Sequence, residues 1–187
     1  AVLGQNIILL LLTKENVYQD LINLKTEITR IFSHKEELNS LSLDIYNHRD
    51  IFILGKNIDY YIALEAALKL KEISYIHAEA FPSGELKHGS LALIDNNSIV
   101  IGLLTQKNVC NIMRTNLLEV SSRGGKIYTF VKNELSKQDN FILNDLPSYI
   151  MPLSLLVCLQ LLSFYIAKNK KIDMDTPRNL AKSVTVE

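Results

Sequence analysis

The sequence has no tryptophan, two cysteines, four prolines and seven glycines in 187 residues, and no excess of charge of either sign. Each scarcity excludes something. Cys110 and Cys158 are too few and too far apart for a disulfide-stapled fold, so two reduced thiols in a cytoplasmic protein are expected. Twenty Lys and Arg offset twenty Asp and Glu, so no general attraction to nucleic acid or to an anionic membrane is expected. No apolar run reaches the ~20 residues that span a bilayer. The longest, 153–167, is about fifteen residues, is interrupted by Ser154, Gln160 and Ser163, and reads as a buried helix. The opening run, 7–12, has no basic segment before it and no small-residue cleavage site after it. Four histidines and two cysteines show no metal-ligand spacing.

What is there suits a packed core. Hydrophobic residues make up 48% and charged residues 21%, and the length is that of one domain and a little over. The chain begins at Ala1 rather than Met, in what reads as the middle of a helix, so a piece of something longer is expected. Val17, Leu21, Leu24, Ile28 and Ile31 recur at helical spacing, and Leu38, Leu41 and Ile45 continue it in a shorter helix. The character changes at Asp50. Apolar runs at 51–54, 76–81, 98–104, 126–131 and 140–143 read as strands, and 58–75, 107–122 and 153–168 read as helices. Strands alternating with helices predict an α/β fold with a parallel sheet covered on both faces. From Asp173 the chain reads as an irregular polar tail.

The chemistry-bearing candidates are few. The loop after the first strand, Gly55-Lys56-Asn57-Ile58-Asp59, offers one glycine, no hydroxyl, and an acid in the first helical turn that would repel an anion. No Walker or dinucleotide fingerprint occurs, so a phosphorylated substrate is expected to be held outside this chain. Glu65, Lys69 and Glu72 share one helix face, which makes either a solvated ion-pair ladder or a carboxylate base beside an orienting ammonium. His77 has its plainest reading as a hydrogen-bonded core histidine, whereas His88, in a loop before Gly89, can reach a ligand. The tail carries Lys182, an amine that an ordered tail would deliver to a carbonyl.

Together, 63–80 (ALEAALKLKEISYIHAEA) and 84–89 (GELKHG) closely resemble the isomerase part of the glutamine–fructose-6-phosphate aminotransferases, the glucosamine-6-phosphate synthases. The ending, PRNLAKSVTVE over 177–187, resembles that family's C-terminal tail residue for residue. The resemblance covers most of the chain from Asp50 on. It implies a three-layer sugar isomerase (SIS) domain with a central parallel sheet flanked by helices, plus an N-terminal helical lead-in. The implied division is a lead-in or inter-domain connection at 1–46, a second SIS domain at 47–172 and a catalytic tail at 173–187. Phe81-Pro82-Ser83 and Gly89-Ser90 are departures in an otherwise familiar loop, with no catalytic position lost.

The implied reaction converts fructose 6-phosphate and glutamine to glucosamine 6-phosphate and glutamate, supplying hexosamine and UDP-GlcNAc precursors. By the same resemblance Lys182 forms a Schiff base with C2 of the open-chain sugar and Glu72 moves the proton between C1 and C2. Lys69 supports Glu72, Leu180 and Ala181 bind substrate, and His88 assists ring opening from the neighbouring subunit of a homodimer. The first SIS domain, with its phosphate-binding loop, and the glutaminase domain are the implied partners. No cofactor is expected, and spacing and composition give no metal, nucleic-acid or membrane partner. Taken alone, the chain is expected to fold and dimerise, with little or no activity. The alternative is a non-catalytic SIS module that dimerises or binds a sugar phosphate. A third reading, an SIS enzyme that removes sugars from amino acids, is expected to lack this tail.

Overall fold

The computed structural model describes residues 17–179. Helices α1 (Val17–Ser33) and α2 (Lys35–Ile45) precede β1 (Asp50–Gly55), α3 (Ile58–Ser74) and β2 (His77–Pro82). Two 3-10 turns, Glu85–His88 and Ser90–Leu93, lead into β3 (Ile99–Leu104). Then come α4 (Cys110–Ser121), β4 (Lys126–Lys132), β5 (Phe141–Leu143) and α5 (Met151–Asn169). The strands form a parallel five-stranded sheet in the order β2-β1-β3-β4-β5. The α/β expectation is met, with most boundaries displaced by one or two residues.

Alternation along each strand builds two cores. Ile51 and Ile53 of β1 and Ile99, Ile101 and Leu103 of β3 face α1, α2, α3 and α5, in a cluster that includes Cys158. Phe52, Leu54, Val100 and Leu104 face α4, in a second cluster that includes Cys110 and Leu86. This is period-two patterning with both faces buried, as parallel sheets require. The leading helices belong to this body. Leu24, Ile31, Leu38 and Ile45 lie in the first core. Buried Glu27 accepts two 2.8 Å bonds from Arg30 and the Asn144 backbone N–H at 3.0 Å, tying α1 to the end of β5.

Helix α5 is longer than the sequence suggests. Pro152, tolerated in the first turn because its missing N–H would have no partner there, lets it start at Met151. At 19 residues it is long and apolar enough to cross a membrane by length and composition. It serves instead as the central helix of the first core, with 56% of its apolar window buried against α1, α2 and α3.

In this strand order the connections leave β1 and β3 in opposite directions, opening a crevice at their carboxyl ends where such folds bind ligands. Here Asp59 fills it. Its carboxylate, 1% exposed, accepts the Thr105 backbone N–H at 2.8 Å and the Thr105 hydroxyl. The acid is thus paired with Thr105 across the β1–β3 corner rather than left free beside the loop. Burial pushes its pKa up to about 6, against the opposing pull of the Thr105 bonds. The turn into α3 is equally tight: a Cβ at Gly55 would lie 2.5 Å from the Asp59 carbonyl carbon and the Tyr60 nitrogen.

Two stability predictions follow from this corner. Gly55→Ala must push backbone against backbone, and should cost about 2–4 kcal/mol in urea unfolding; a change under about 0.5 kcal/mol would refute the packing. A carboxyl whose pKa is raised on folding stabilises most below its ordinary value, and that contribution is lost as pH rises through about 6. Between pH 5 and 7.5 the wild type should therefore lose about 1–1.5 kcal/mol that Asp59→Asn does not lose. Parallel pH profiles for the two proteins would show that Asp59 is not the group responsible.

Candidate active site

Lys69 and Glu72 sit in the last turns of α3, three positions apart and so on one face. Lys69 Nζ donates to Glu72 Oε2 at 2.6 Å and lies 3.6 Å from Glu65 Oε1. The hydrogen bond to Glu72 raises the Lys69 pKa, against the opposing effect of burial. Both side chains are about 30% exposed. A pair at that exposure contributes only ~0.2–1 kcal/mol to folding. Its main effect is to fix where the Glu72 carboxylate points.

That carboxylate borders a hollow of about 250 Å³ lined by Lys71, Glu72, Tyr75, Arg178 and Asn179. Three of these close the end of α3; the other two arrive from the far end of the chain. Asp173 organises the turn that brings them, accepting from the Asp175 N–H at 3.0 Å and the Thr176 hydroxyl at 2.5 Å. The Arg178 backbone N–H then donates to the Tyr75 hydroxyl at 2.9 Å, and its guanidinium lies 4.1 Å from the Tyr75 ring centroid. The described part of the expected irregular tail is therefore anchored beside Glu72. Leu180, Ala181 and Lys182 lie outside the described residues.

His88 is not brought to Glu72. It ends the 3-10 turn Glu85–His88, which is held by Leu86 buried in the α4 core and by Lys87 Nζ at 2.7 Å from Glu119 Oε1. Glu72 belongs to a helix packed on the other face. Within one chain the sheet stands between the elements that carry the two residues.

His77 departs from its plainest reading. It opens the edge strand β2, is 64% exposed at its side chain, and pairs through Nδ1 with Asp50 Oδ1 at 2.9 Å. Edge position explains the exposure: β2 has a neighbour on one side only. With His48, Arg49, Asp50 and Glu79 it lines a hollow of about 560 Å³ at the amino ends of the strands, away from the β1–β3 crevice. Sequence reasoning missed His48 and Arg49 here, and also Tyr75 and Arg178. The signal for the first two was two polar residues directly before a strand; the last two meet 103 positions apart. Among the described residues no group of three or more His, Cys, Asp or Glu is placed to hold a metal ion.

Comparison with known proteins agrees with this architecture. Residues 44–164 match the SIS domain family. The chain is 39% identical over 178 residues to the glutamine–fructose-6-phosphate aminotransferase (isomerizing) of Clostridium acetobutylicum, covering 92% of this chain and 29% of that protein. It is 50% identical over 144 residues to the enzyme of the same name from Lactiplantibacillus plantarum, covering 76% of this chain and 24% of that one. It thus spans less than a third of the curated relatives it matches. Among solved structures it resembles the C-terminal domain of glucosamine-fructose-6-phosphate aminotransferase from Francisella tularensis, with a TM-score of 0.79 and 36% identity over 84% of this chain and 46% of that one. Glucosamine-6-phosphate deaminase from Thermotoga maritima, at TM-score 0.63 and 20% identity over 84% and 49% of the two chains, shares the fold. Parallel strand order, helices on both faces and the match over 44–164 place this chain in the SIS domain family.

Proposed function

We propose that this chain is the second SIS domain of a glucosamine-6-phosphate synthase, and that it supplies the isomerase groups for making glucosamine 6-phosphate from fructose 6-phosphate and glutamine. One observation carries the reading: Glu72, oriented by Lys69, shares its hollow with Asn179, and Lys182 is three residues further on. Three residues reach at most about 10 Å, so the amine is tethered within range of the carboxylate. The Lys182 amine adds to C2 of the open-chain ketose and water leaves, giving an imine. Ammonia released from glutamine adds to that C2 imine and the lysine amine leaves, so the imine that remains carries the product's nitrogen at C2. Protonated, it acidifies the C1–H far more than a ketone does, so a carboxylate suffices to carry the proton from C1 to C2. Leu180 and Ala181, beside Lys182, contact the sugar.

His88 serves the ring-opening step in the partner's site. Its position behind the sheet from Glu72 supports a homodimer in which each site takes its imidazole from the other subunit. The phosphate is held by the first SIS domain of the same protein, and the ammonia comes from its glutaminase domain. Asp59 in the β1–β3 crevice argues against a stand-alone sugar-phosphate-binding module. Exposed Tyr61, Leu64 and Leu68 on α3, at 64%, 42% and 42%, suit a helix that another part of the enzyme covers.

In the intact enzyme, borohydride with fructose 6-phosphate should leave a sugar adduct on Lys182. Lys182→Ala should abolish both adduct and isomerisation; a near-normal rate would overturn the mechanism. Glu72→Gln should still give the adduct but lose exchange of the C1 hydrogen with deuterated solvent.

Mixing the homodimers of His88→Ala and Glu72→Gln offers a separate test. Subunit exchange should restore activity toward about one quarter of wild type, since half the dimers then hold one intact site. No restoration after verified exchange would place His88 and Glu72 in the same subunit's site.

A further inference from the structure

The geometry points to Tyr75 and Arg178 as positioning residues: a clamp that seats the start of the C-terminal tail against the end of α3, so that Lys182 is delivered to Glu72. This rests on the proposed role of Lys182 and extends it to two residues that act by placing that lysine.

Two contacts of different kinds meet at Tyr75. Its hydroxyl accepts the Arg178 backbone N–H at 2.9 Å, and its ring lies 4.1 Å under the Arg178 guanidinium. The first fixes the path of the main chain; the second uses the affinity of a planar cation for an aromatic face. One side chain thus holds both the backbone and the side chain of the same tail residue. Asn179, next in the chain, then borders the hollow that contains Glu72.

The backbone of Tyr75 is itself strained for a tyrosine. It caps α3 in the left-handed region, at φ 55° and ψ 27°. A helix that ends this way ordinarily uses glycine or asparagine there, because a bulky Cβ is strained in that region. A tyrosine here carries a cost that the helix end itself does not require, and strain of that kind collects where a side chain has a task. The left-handed cap also turns the chain sharply into β2, leaving the ring beside the returning tail.

Charge sharpens the argument. Lys170, just past α5, has its pKa lowered by burial and then by Arg178. Arg178 therefore feels another cation nearby, and its stacking on the Tyr75 ring offsets that repulsion.

The test uses the intact enzyme and three variants: Tyr75→Gly, which relieves the backbone strain and removes both contacts; Tyr75→Phe, which keeps the ring; and Arg178→Lys, which keeps the charge and loses the plane. Trypsin reads tail seating directly, since it cuts after Arg178 and Lys182. Tyr75→Gly should be cut there several times faster than wild type with no loss of melting temperature. Its kcat and its rate of borohydride-trapped adduct formation should fall about tenfold or more, as misplacing a reacting group does. KM should change less than twofold, because the phosphate is held elsewhere. Tyr75→Phe and Arg178→Lys should fall between the two, as partial rescue.

Unchanged cleavage in Tyr75→Gly would overturn the clamp. Faster cleavage with unchanged kcat would overturn its positioning role. A fall in kcat that tracks a fall in melting temperature across all three variants would overturn it too, as a general loss of structure. If wild type forms no adduct on Lys182, the proposed function fails, and the cleavage comparison alone decides whether the clamp exists.

Discussion

Burial of the inner strands on both faces is the constraint that orders everything else. β1 and β3 have no residue class to spare for chemistry, because alternate positions are committed to two different cores. Reactive groups must then come from helix ends and from segments that cross the rim. The one crevice that the strand order opens between β1 and β3 is closed by the Asp59–Thr105 contact. The proposed chemistry lies instead at the end of α3, where the returning tail lines a hollow with Glu72 and Tyr75.

The same sheet acts as a partition. Glu72 and His88 are sixteen residues apart in the sequence, yet the elements that carry them pack on opposite faces. A reaction that needs both must bring a second face from elsewhere, and a twofold dimer is the least demanding way to do so. In such an enzyme, assembly and catalysis are one property.

Much of the fold was legible because its signals are local. Ile51 to Leu54 and Ile99 to Leu104 are unbroken apolar runs, and a parallel sheet is where such runs belong. The Lys69–Glu72 pair was legible from helical spacing. What escaped depends on partners distant in the chain. An aspartate at a helix start gives no sign that it will turn inward to a threonine 46 residues on. His77 looked like a core residue because it adjoins apolar neighbours, but the strand it opens lies at the edge. Tyr75 and Arg178 have no local pattern at all; they are defined only by the turn of the tail.

The two cores also differ in a way useful beyond catalysis. Each contains one free cysteine: Cys158 against α1 and α3, where burial pushes its thiol well up, and Cys110 on the α4 face. Cys158, with no exposed surface, meets a reagent only when its layer parts from the sheet, whereas Cys110, 6% exposed at the first residue of α4, needs only a local opening there. The molecule therefore carries two native chemical reporters set at different depths. Their labelling rates compare a local opening with the parting of a whole layer.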